Sequence, residues 1–193
     1  GYQDLGIHSG IINDAAMRLV RLGSVTGARK THDPGVAVGG LLGGTQELFD
    51  WAHRNPRLEL RSTRYTHDPE ILGTSYRLAA INAAIEVDLT GQVNAEVAGG
   101  RYVGAVGGAM DFLRGAARSP GGLPIVALPS TARDSSRIVE RLHGPVSTPR
   151  AEPIIVVTEW GVADLRGLTL EQRVEQMIAI AHPDPRSILD AGA

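Results

Sequence analysis

The sequence contains no cysteine and only one lysine, Lys30, among its 19 basic residues. The absence of cysteine excludes a disulfide framework, a thiol nucleophile and a cysteine-ligated metal. Lys30 is the single candidate for an amine nucleophile or a Schiff base, but the polar loop around it offers no apolar surroundings that would depress its pKa. The longest apolar runs are about five residues, far short of a membrane span.

The chain also lacks a strong excess of one charge, since 19 basic and 21 acidic side chains give a net charge of -2. This balance argues against a nucleic-acid binder, which usually carries a basic face. Hydrophobic residues make up 42% of the chain, a globular composition, and no signal peptide is visible. We therefore expect a cytoplasmic protein without nucleic-acid or membrane partners. Because no linker, charge block or repeat divides the chain, we expect one domain over residues 1–193.

The apolar spacing predicts strands that alternate with helices. Three- and four-residue spacing predicts helices over residues 11–23 and 170–181. A cap at Thr45 predicts a helix over residues 46–53, and we expect another over residues 109–117, entered from a glycine loop. Short apolar or alternating runs predict strands over residues 36–42, 58–62, 124–129 and 154–158. Residues 79–84 would suit a helix, but we expect a strand pair in this region, with its turn near Gly91. The alternation indicates an α/β fold with an open, largely parallel sheet and flanking helices.

A glycine-rich loop over residues 99–108 is the first candidate binding element. If a helix begins at Ala109, the N–H groups after Val106, at Gly107 and Gly108, lie beside its positive end and suit a phosphate, a carboxylate or an oxyanion. A tight turn with close strand–helix packing explains the same glycines equally well. The loop is neither a Walker A motif nor a dinucleotide-binding fingerprint.

Several titratable residues lie in turns. His8 and Ser9 are adjacent, which rarely gives triad geometry, so a capping role is favoured over a catalytic pair. His67-Asp68-Pro69, like His32-Asp33-Pro34, is typical of a turn, and we expect no metal site.

Three carboxylates need separate consideration. Glu86 and Asp88 share one face of a predicted strand, where an acid–base pair is possible but a solvated or ion-paired face is favoured. Glu159 follows an apolar strand, so it is a candidate either for a site or for binding a neighbouring backbone.

Taken together, the motifs resemble the C-terminal half of the acetyl-CoA hydrolase/transferase family. The matching stretches are residues 4–9, 81–92, 106–108, 111–112, 136–139, 156–167 and 180–184. The resemblance implies a CoA-transferase (NagB/RpiA-like) type of open α/β fold. It also implies an N-terminal half, absent from this chain, and an active site between the halves with an exposed apolar or glycine-rich face. The implied ligands are coenzyme A, as an acyl-CoA substrate, and a small carboxylate or water. The implied partners are the missing half and further copies, in a homo- or hetero-oligomer.

In this family a glutamate normally follows the His-Ser of the first motif and attacks the thioester, giving a mixed anhydride and then a glutamyl-CoA thioester. Gly10 stands at that position, and glycine has no side chain that could form a covalent intermediate. The family usually has asparagine where His67 stands. It usually has glycine and either glutamine or serine where Ala105 and Ala109 flank Val-Gly-Gly. These departures indicate altered chemistry on an intact scaffold.

Three hypotheses follow from the resemblance. The first is a divergent acyl-CoA enzyme in which Val106, Gly107 and Gly108 hold the thioester oxygen, while His67 or His8 activates water or another acceptor. The second is an ordinary CoA-transferase whose nucleophile is Glu86, Glu159 or a residue of the partner half. The third is a non-catalytic CoA-binding or assembly subunit. Alternatively, Gly10 is an introduced change.

Overall fold

The computed structural model describes residues 3–133 and 135–184. Within them, the chain forms two compact units: unit 1 comprises residues up to Leu78 together with Arg118–Gly121, and unit 2 comprises the rest. The expectation of one domain over residues 1–193 stays a prediction. No helix in the described part of the chain is long and apolar enough to cross a membrane.

Unit 1 is built on a three-stranded parallel sheet. Its elements are β1 (His8–Ile12), α1 (Asp14–Arg21), β2 (Ala37–Leu42), α2 (Gln46–Ala52), β3 (Leu58–Leu60), α3 (Thr63–Thr66) and α4 (Pro69–Thr74). The strand order is β1-β2-β3, with Ser9 opposite Gly39 and Gly39 opposite Leu60. Ile12, Met17 and Leu48 form the buried core between this sheet and the first two helices.

The first segment of unit 1 corrects two predictions. The predicted helix over residues 11–23 begins only at Asp14, where the side chain of Asn13 accepts the N–H of Ala16 at 3.0 Å. His8 and Ser9, which were expected in a turn beside this helix, instead begin strand β1. The apolar spacing starts the helix too early because Ile11 and Ile12 fit the helical period and the strand period equally well. Their β-branched side chains favour the sheet.

Unit 2 contains a second, mostly parallel sheet. Its elements are β4 (Ala79–Ala83), β5 (Glu86–Asp88), β6 (Val93–Asn94), β7 (Val97–Ala98), β8 (Arg101–Tyr102), α5 (Ala109–Arg118, whose last residue belongs to unit 1), β9 (Leu123–Ala127), β10 (Thr131–Ala132), β11 (Ser135–Ser136), β12 (Ile138–Val139), β13 (Ile155–Thr158), β14 (Gly161–Asp164) and α6 (Leu170–Ala179). The main sheet has the order β14-β13-β9-β4, and only the β13–β14 pair is antiparallel. The predicted α/β class with largely parallel sheets is therefore confirmed.

The predicted strand pair around Gly91 is confirmed as β5 and β6, which pair antiparallel. Gly91 has a φ of +89°, and a Cβ there would lie 2.7 Å from the Leu165 side chain. Only glycine meets both conditions, which explains the turn. Residues 79–83, the alternative helix, form strand β4 because they pair with β9 along their whole length.

Helix α6 begins where the sequence predicts. The hydroxyl of Thr169 accepts the N–H of Gln172, and the side-chain oxygen of Gln172 accepts the N–H of Thr169. These two hydrogen bonds form a capping box. Its apolar face is narrower than the spacing suggests, since Met177 is fully buried while Leu170 is 51% exposed.

The difference in burial between Met177 and Leu170 can be tested with a pair of alanine substitutions. Met177→Ala is expected to lower the free energy of unfolding by about 2–4 kcal/mol, because it leaves a cavity in the core of unit 2. Leu170→Ala is expected to cost less than about 0.5 kcal/mol, because that side chain is half exposed. Urea unfolding of both variants checks this, and equal losses would contradict the packing described here.

Candidate active site

In unit 1, Thr66 contacts two histidines that the sequence selected separately. The Nε2 of His8, at the start of β1, lies 3.0 Å from the carbonyl oxygen of Thr66. The hydroxyl of the same threonine lies 2.8 Å from Nδ1 of His67, the residue that ends α3. Thr66 itself is fully buried. The fold thus places both candidate general bases around one residue, His8 at its backbone carbonyl and His67 at its hydroxyl.

Gly10, the position without a nucleophile, lies within β1 beside this group. A Cβ on Gly40 of the neighbouring strand would stand 2.7 Å from the Gly10 carbonyl oxygen and 3.6 Å from the Thr66 hydroxyl. Gly10, Gly40 and Thr66 are therefore close neighbours. Two glycines face each other where the sheet approaches α3, so neither strand contributes a side chain there.

The ring of His8 packs beside Tyr65, with 5.9 Å between ring centroids. Tyr65 donates its hydroxyl to Asp33 at 2.5 Å, and the guanidinium of Arg61 lies over the tyrosine ring and 2.9 Å from Asp33. Burial lowers the pKa of His8, and the hydrogen bond to the Thr66 carbonyl offsets this only in part. His8 is therefore neutral at pH 7, the state in which an imidazole can accept a proton.

The expectation that nothing around Lys30 would depress its pKa is wrong. The lysine is half buried, its stem packs against Gly6, and its ammonium donates to the Val36 carbonyl at 2.6 Å. Burial lowers the pKa of Lys30. The sequence could not show this because the covering residues come from a different part of unit 1.

In unit 2, the glycine loop reaches α5 in the predicted way. Gly107 has a φ of +54°, and α5 begins at Ala109. Among the described residues, the backbone N–H groups of Val106, Gly107 and Gly108 donate to no acceptor. A Cβ on Gly107 would meet nothing within 4 Å, so close packing does not explain this glycine.

Glu159, in the turn between β13 and β14, is an exposed carboxylate that holds a neighbouring loop. It accepts the hydroxyl of Ser130 at 2.6 Å and the N–H of Ser130 at 2.8 Å. These bonds, the hydroxyl first, lower the pKa of Glu159. Of the two roles expected for this residue, the geometry matches backbone binding, and a catalytic role stays a prediction.

Glu86 and Asp88 are buried rather than solvated, with 8% and 3% of their surface exposed. Glu86 accepts the N–H groups of His143 and Gly144 and the side-chain amide of Asn94, and it pairs with the His143 ring at 2.9 Å. Asp88 accepts four bonds, from Thr90 and Gln92. Both carboxylates hold loops against β5. The expectation of a solvated strand face is therefore wrong, and the ion-paired alternative is found at Glu86.

The hydrogen bonds of Glu86 lead us to expect that the protein loses folding stability at low pH. Burial alone would raise its pKa, but the hydrogen bonds from His143, Asn94 and the backbone outweigh burial and hold the pKa below its ordinary value. Its stabilising contribution is therefore complete above about pH 4.3 and is lost as the pH falls below it. Glu86→Gln is expected to cost about 1–2 kcal/mol at neutral pH and to flatten this acid limb. Urea unfolding from pH 7 to pH 3 checks it, and an unchanged slope would contradict this role.

The histidine–aspartate turns have structural partners. Asp68 caps α4 by accepting the N–H groups of Glu70 and Ile71, and the His32 ring lies 2.9 Å from the Thr74 hydroxyl. In the described residues, no three histidine, aspartate or glutamate side chains gather as metal ligands. Sequence reasoning missed Thr66 as a contact of both histidines. The only sequence feature that could indicate this contact is the threonine hydroxyl directly before His67.

Comparison with known proteins gives one consistent result. The family described as "Acetyl-CoA hydrolase/transferase C-terminal domain" matches residues 44–193. The chain is 42% identical, over 97% of its length, to 4-hydroxybutyrate coenzyme A transferase of Clostridium kluyveri, and 32% identical, over 76%, to an acetyl-CoA hydrolase of Kluyveromyces lactis. It covers 44% and 28% of those two proteins.

Solved structures agree with these relatives. RipA from Yersinia pestis superposes with a TM-score of 0.94 at 40% identity, covering all of this chain and 44% of that one. The 4-hydroxybutyrate CoA-transferase of Porphyromonas gingivalis gives a TM-score of 0.85 at 43% identity, covering 98% of this chain and 45% of that one. The chain thus spans less than half the length of the relatives it matches.

Proposed function

The chain belongs to the acetyl-CoA hydrolase/transferase family, and from this premise we propose that the protein containing it acts on an acyl-CoA thioester, by hydrolysis or by acyl or CoA transfer. The observation that carries the proposal is the loop before α5, where the N–H groups of Gly107 and Gly108 have no acceptor among the described residues. Coenzyme A enters as part of the substrate.

The loop suits the charge that develops in thioester chemistry. Attack on the carbonyl carbon moves negative charge onto its oxygen, and two backbone N–H groups beside a helix N-terminus stabilise that charge. Such donors need no reorganisation during the reaction, and each is typically worth about 10²–10³ in rate. Gly107 adopts its left-handed conformation without a steric penalty.

The second element is the histidine pair around Thr66. With no carboxylate at Gly10, we infer that the acceptor attacks the thioester directly. The imidazole of His8 or His67 takes the proton of water or of another acceptor as the new bond to the carbonyl carbon forms. The carbon–sulfur bond then breaks, and the CoA thiolate regains a proton. The lowered pKa of His8 keeps it in the proton-accepting form.

A transferase that uses Glu86 or Glu159 as its nucleophile is less well supported. Both carboxylates bind backbone N–H groups, and freeing either one would release the loop that it holds. Glu86 is in addition almost fully buried. A substitute nucleophile would therefore have to come from the partner half.

The alternative is a non-catalytic subunit that binds CoA or completes an active site with an N-terminal half. The observation in its favour is Gly10, which supplies no side chain inside β1. The length of the relatives supports the N-terminal half as a partner, either in the same polypeptide or as a separate subunit.

Thioester turnover by the assembled protein separates these possibilities. The chain is combined with an N-terminal half, and CoA release is measured from acetyl-, butyryl- and succinyl-CoA, with water or acetate as acceptor. We expect release of CoA that falls when either His8 or His67 is replaced by alanine. Tight CoA binding without turnover in every pairing would instead establish the non-catalytic subunit.

A further inference from the structure

We propose that the outer edge of β4, the end strand of the main sheet of unit 2, binds a β-strand from the N-terminal half that completes the protein. This inference rests on the part of the proposed function that gives the chain such a half as its partner. It adds the surface that the partner binds and the mode of binding, in which backbone groups of the two halves pair as neighbouring strands.

The backbone of β4 is paired on one side. All five of its residues, Ala79–Ala83, are in register with Leu123–Ala127 of β9. Outside that ladder, no backbone hydrogen bond links β4 to any other residue in the described part of the chain. Because alternate residues of a strand direct their N–H and carbonyl groups to opposite sides, β4 carries a row of unpaired groups along its outer edge.

This strand lacks the features by which proteins protect such an edge. Charged side chains, proline and bulges normally keep an exposed edge from pairing with another strand. The sequence of β4 is Ala-Ala-Ile-Asn-Ala, without charge or proline, and its register with β9 contains no bulge. By contrast, β14 at the opposite edge of the same sheet carries the exposed carboxylate of Asp164, which pairs with Arg166 at 2.6 Å. The difference indicates that β4, unlike β14, receives a further strand.

The side chains of β4 also leave one face of the sheet uncovered at this edge. Ala80 is buried in the core, whereas Ala79, Ile81 and Ala83, which point to the opposite face, are exposed. Ile81 has 69% of its surface exposed. Strands of parallel sheets are normally covered on both faces, so this apolar exposure indicates that a further segment packs against β4.

The length of the relatives favours the N-terminal half as the source of that segment. The chain superposes along its whole length on RipA but covers 44% of it, so the same fold occurs within a polypeptide more than twice as long. An unprotected apolar edge is tolerated where its partner is always present, as in an obligate interface. An N-terminal half in the same polypeptide or in a permanent complex meets this condition. A second copy of the chain would leave the edge exposed whenever the copies separate.

Hydrogen exchange resolved to single amides, on the chain alone and combined with the N-terminal half, tests the pairing directly. We expect every second amide of β4 to exchange at least about tenfold more slowly in the assembled protein, because new hydrogen bonds protect it. The amides of β14 are the internal control and should change much less.

Three results would overturn the proposal. The first is unchanged exchange at β4 in an assembly confirmed by size-exclusion chromatography, or an N-terminal half that does not bind the chain. The second is equal slowing at β4 and β14. The third is slowing at β4 in the chain alone as its concentration rises, which would make a second copy the occupant.

Lysine substitutions at the two edges of the sheet give a second test. Ile81 in β4 and Val162 in β14 are 69% and 61% exposed, so Ile81→Lys and Val162→Lys should leave urea unfolding of the chain alone nearly unchanged. Ile81→Lys should weaken binding of the N-terminal half at least about tenfold, because the new contact removes water from the ammonium. Val162→Lys should weaken it less than about threefold. Equal weakening by both variants would contradict the proposal.

The same assembly separates this inference from the proposed function. Protection of β4 in an assembly without thioester turnover would support the strand pairing and remove the proposed activity. Turnover in an assembly whose β4 amides are unchanged would support the activity and overturn the pairing.

Discussion

Gly10→Glu is expected to give the assembled protein a covalent glutamyl-CoA intermediate that the native chain does not form at this position. Gly10 lies in the extended backbone of β1, and it is a close neighbour of Gly40 and Thr66. A carboxylate there would attack the thioester carbonyl and expel the CoA thiolate. The thiolate would then attack the glutamyl carbonyl of the resulting mixed anhydride, which releases the acyl group as its carboxylate and leaves CoA bound to the glutamate as a thioester. Because covalent catalysis replaces one high barrier with two lower ones, transfer to acetate should rise on the order of a hundredfold.

Mass spectrometry of the peptide that contains residue 10, after borohydride trapping during turnover, measures this directly. Gly10→Gln is the matched control, since it adds a side chain of the same shape that cannot attack as a carboxylate. A gain with glutamine as large as that with glutamate would contradict the covalent explanation. A glutamyl-CoA thioester at any other glutamate of the native protein would show that its nucleophile had been supplied elsewhere.

Gly107→Ala is expected to reduce thioester turnover about a hundredfold, close to the loss of one oxyanion donor. Gly107 has a φ of +54°, and a left-handed conformation costs a residue with a Cβ about 1–2 kcal/mol. An alanine at this position relieves that strain when its backbone rotates out of the left-handed conformation. The rotation turns the following peptide and redirects the N–H of Gly108 away from the substrate oxygen.

Gly99→Ala is an unusually close control for this variant. Gly99 has a φ of +55°, and, as at Gly107, an added Cβ meets nothing within 4 Å. Both substitutions should therefore cost the same stability in urea unfolding. Gly99 lies in the turn between β7 and β8 and carries none of the proposed donors, so its turnover should fall less than about threefold. Similar activity losses at both sites would show that strain, not a lost donor, explains the effect.

Sequence patterns predict an element correctly where the local preferences of its residues agree with the tertiary contacts that they make. The strand ending in Thr158 and helix α6 are predicted because a β-branched run and a three- and four-residue apolar spacing each indicate one structure. Strand β1 was missed because its two isoleucines fit a helical period as well as a sheet, and only pairing with β2 decides between them. Short pairs such as β10 and β11 carry too few residues to show any period.

The candidate site was predicted residue by residue, but its arrangement was not. His8 and His67 were selected from motifs, yet their shared contact with Thr66 depends on α3 folding against β1, which no local pattern records. The half-buried Lys30 was missed for the same reason. The buried carboxylate Glu86 looked like a solvated strand residue because its partners, His143 and Gly144, lie far along the chain.

The central claim is that the backbone N–H groups of Gly107 and Gly108 hold the carbonyl oxygen of an acyl-CoA. Glycine-selective nitrogen labelling of the assembled protein follows both amides while a ketone analogue of acetyl-CoA, with a methylene group in place of the sulfur, is added. We expect these two signals to shift with the ketone analogue and much less with CoA, which has no carbonyl at that position. Saturable binding of the analogue that leaves both signals in place would contradict it.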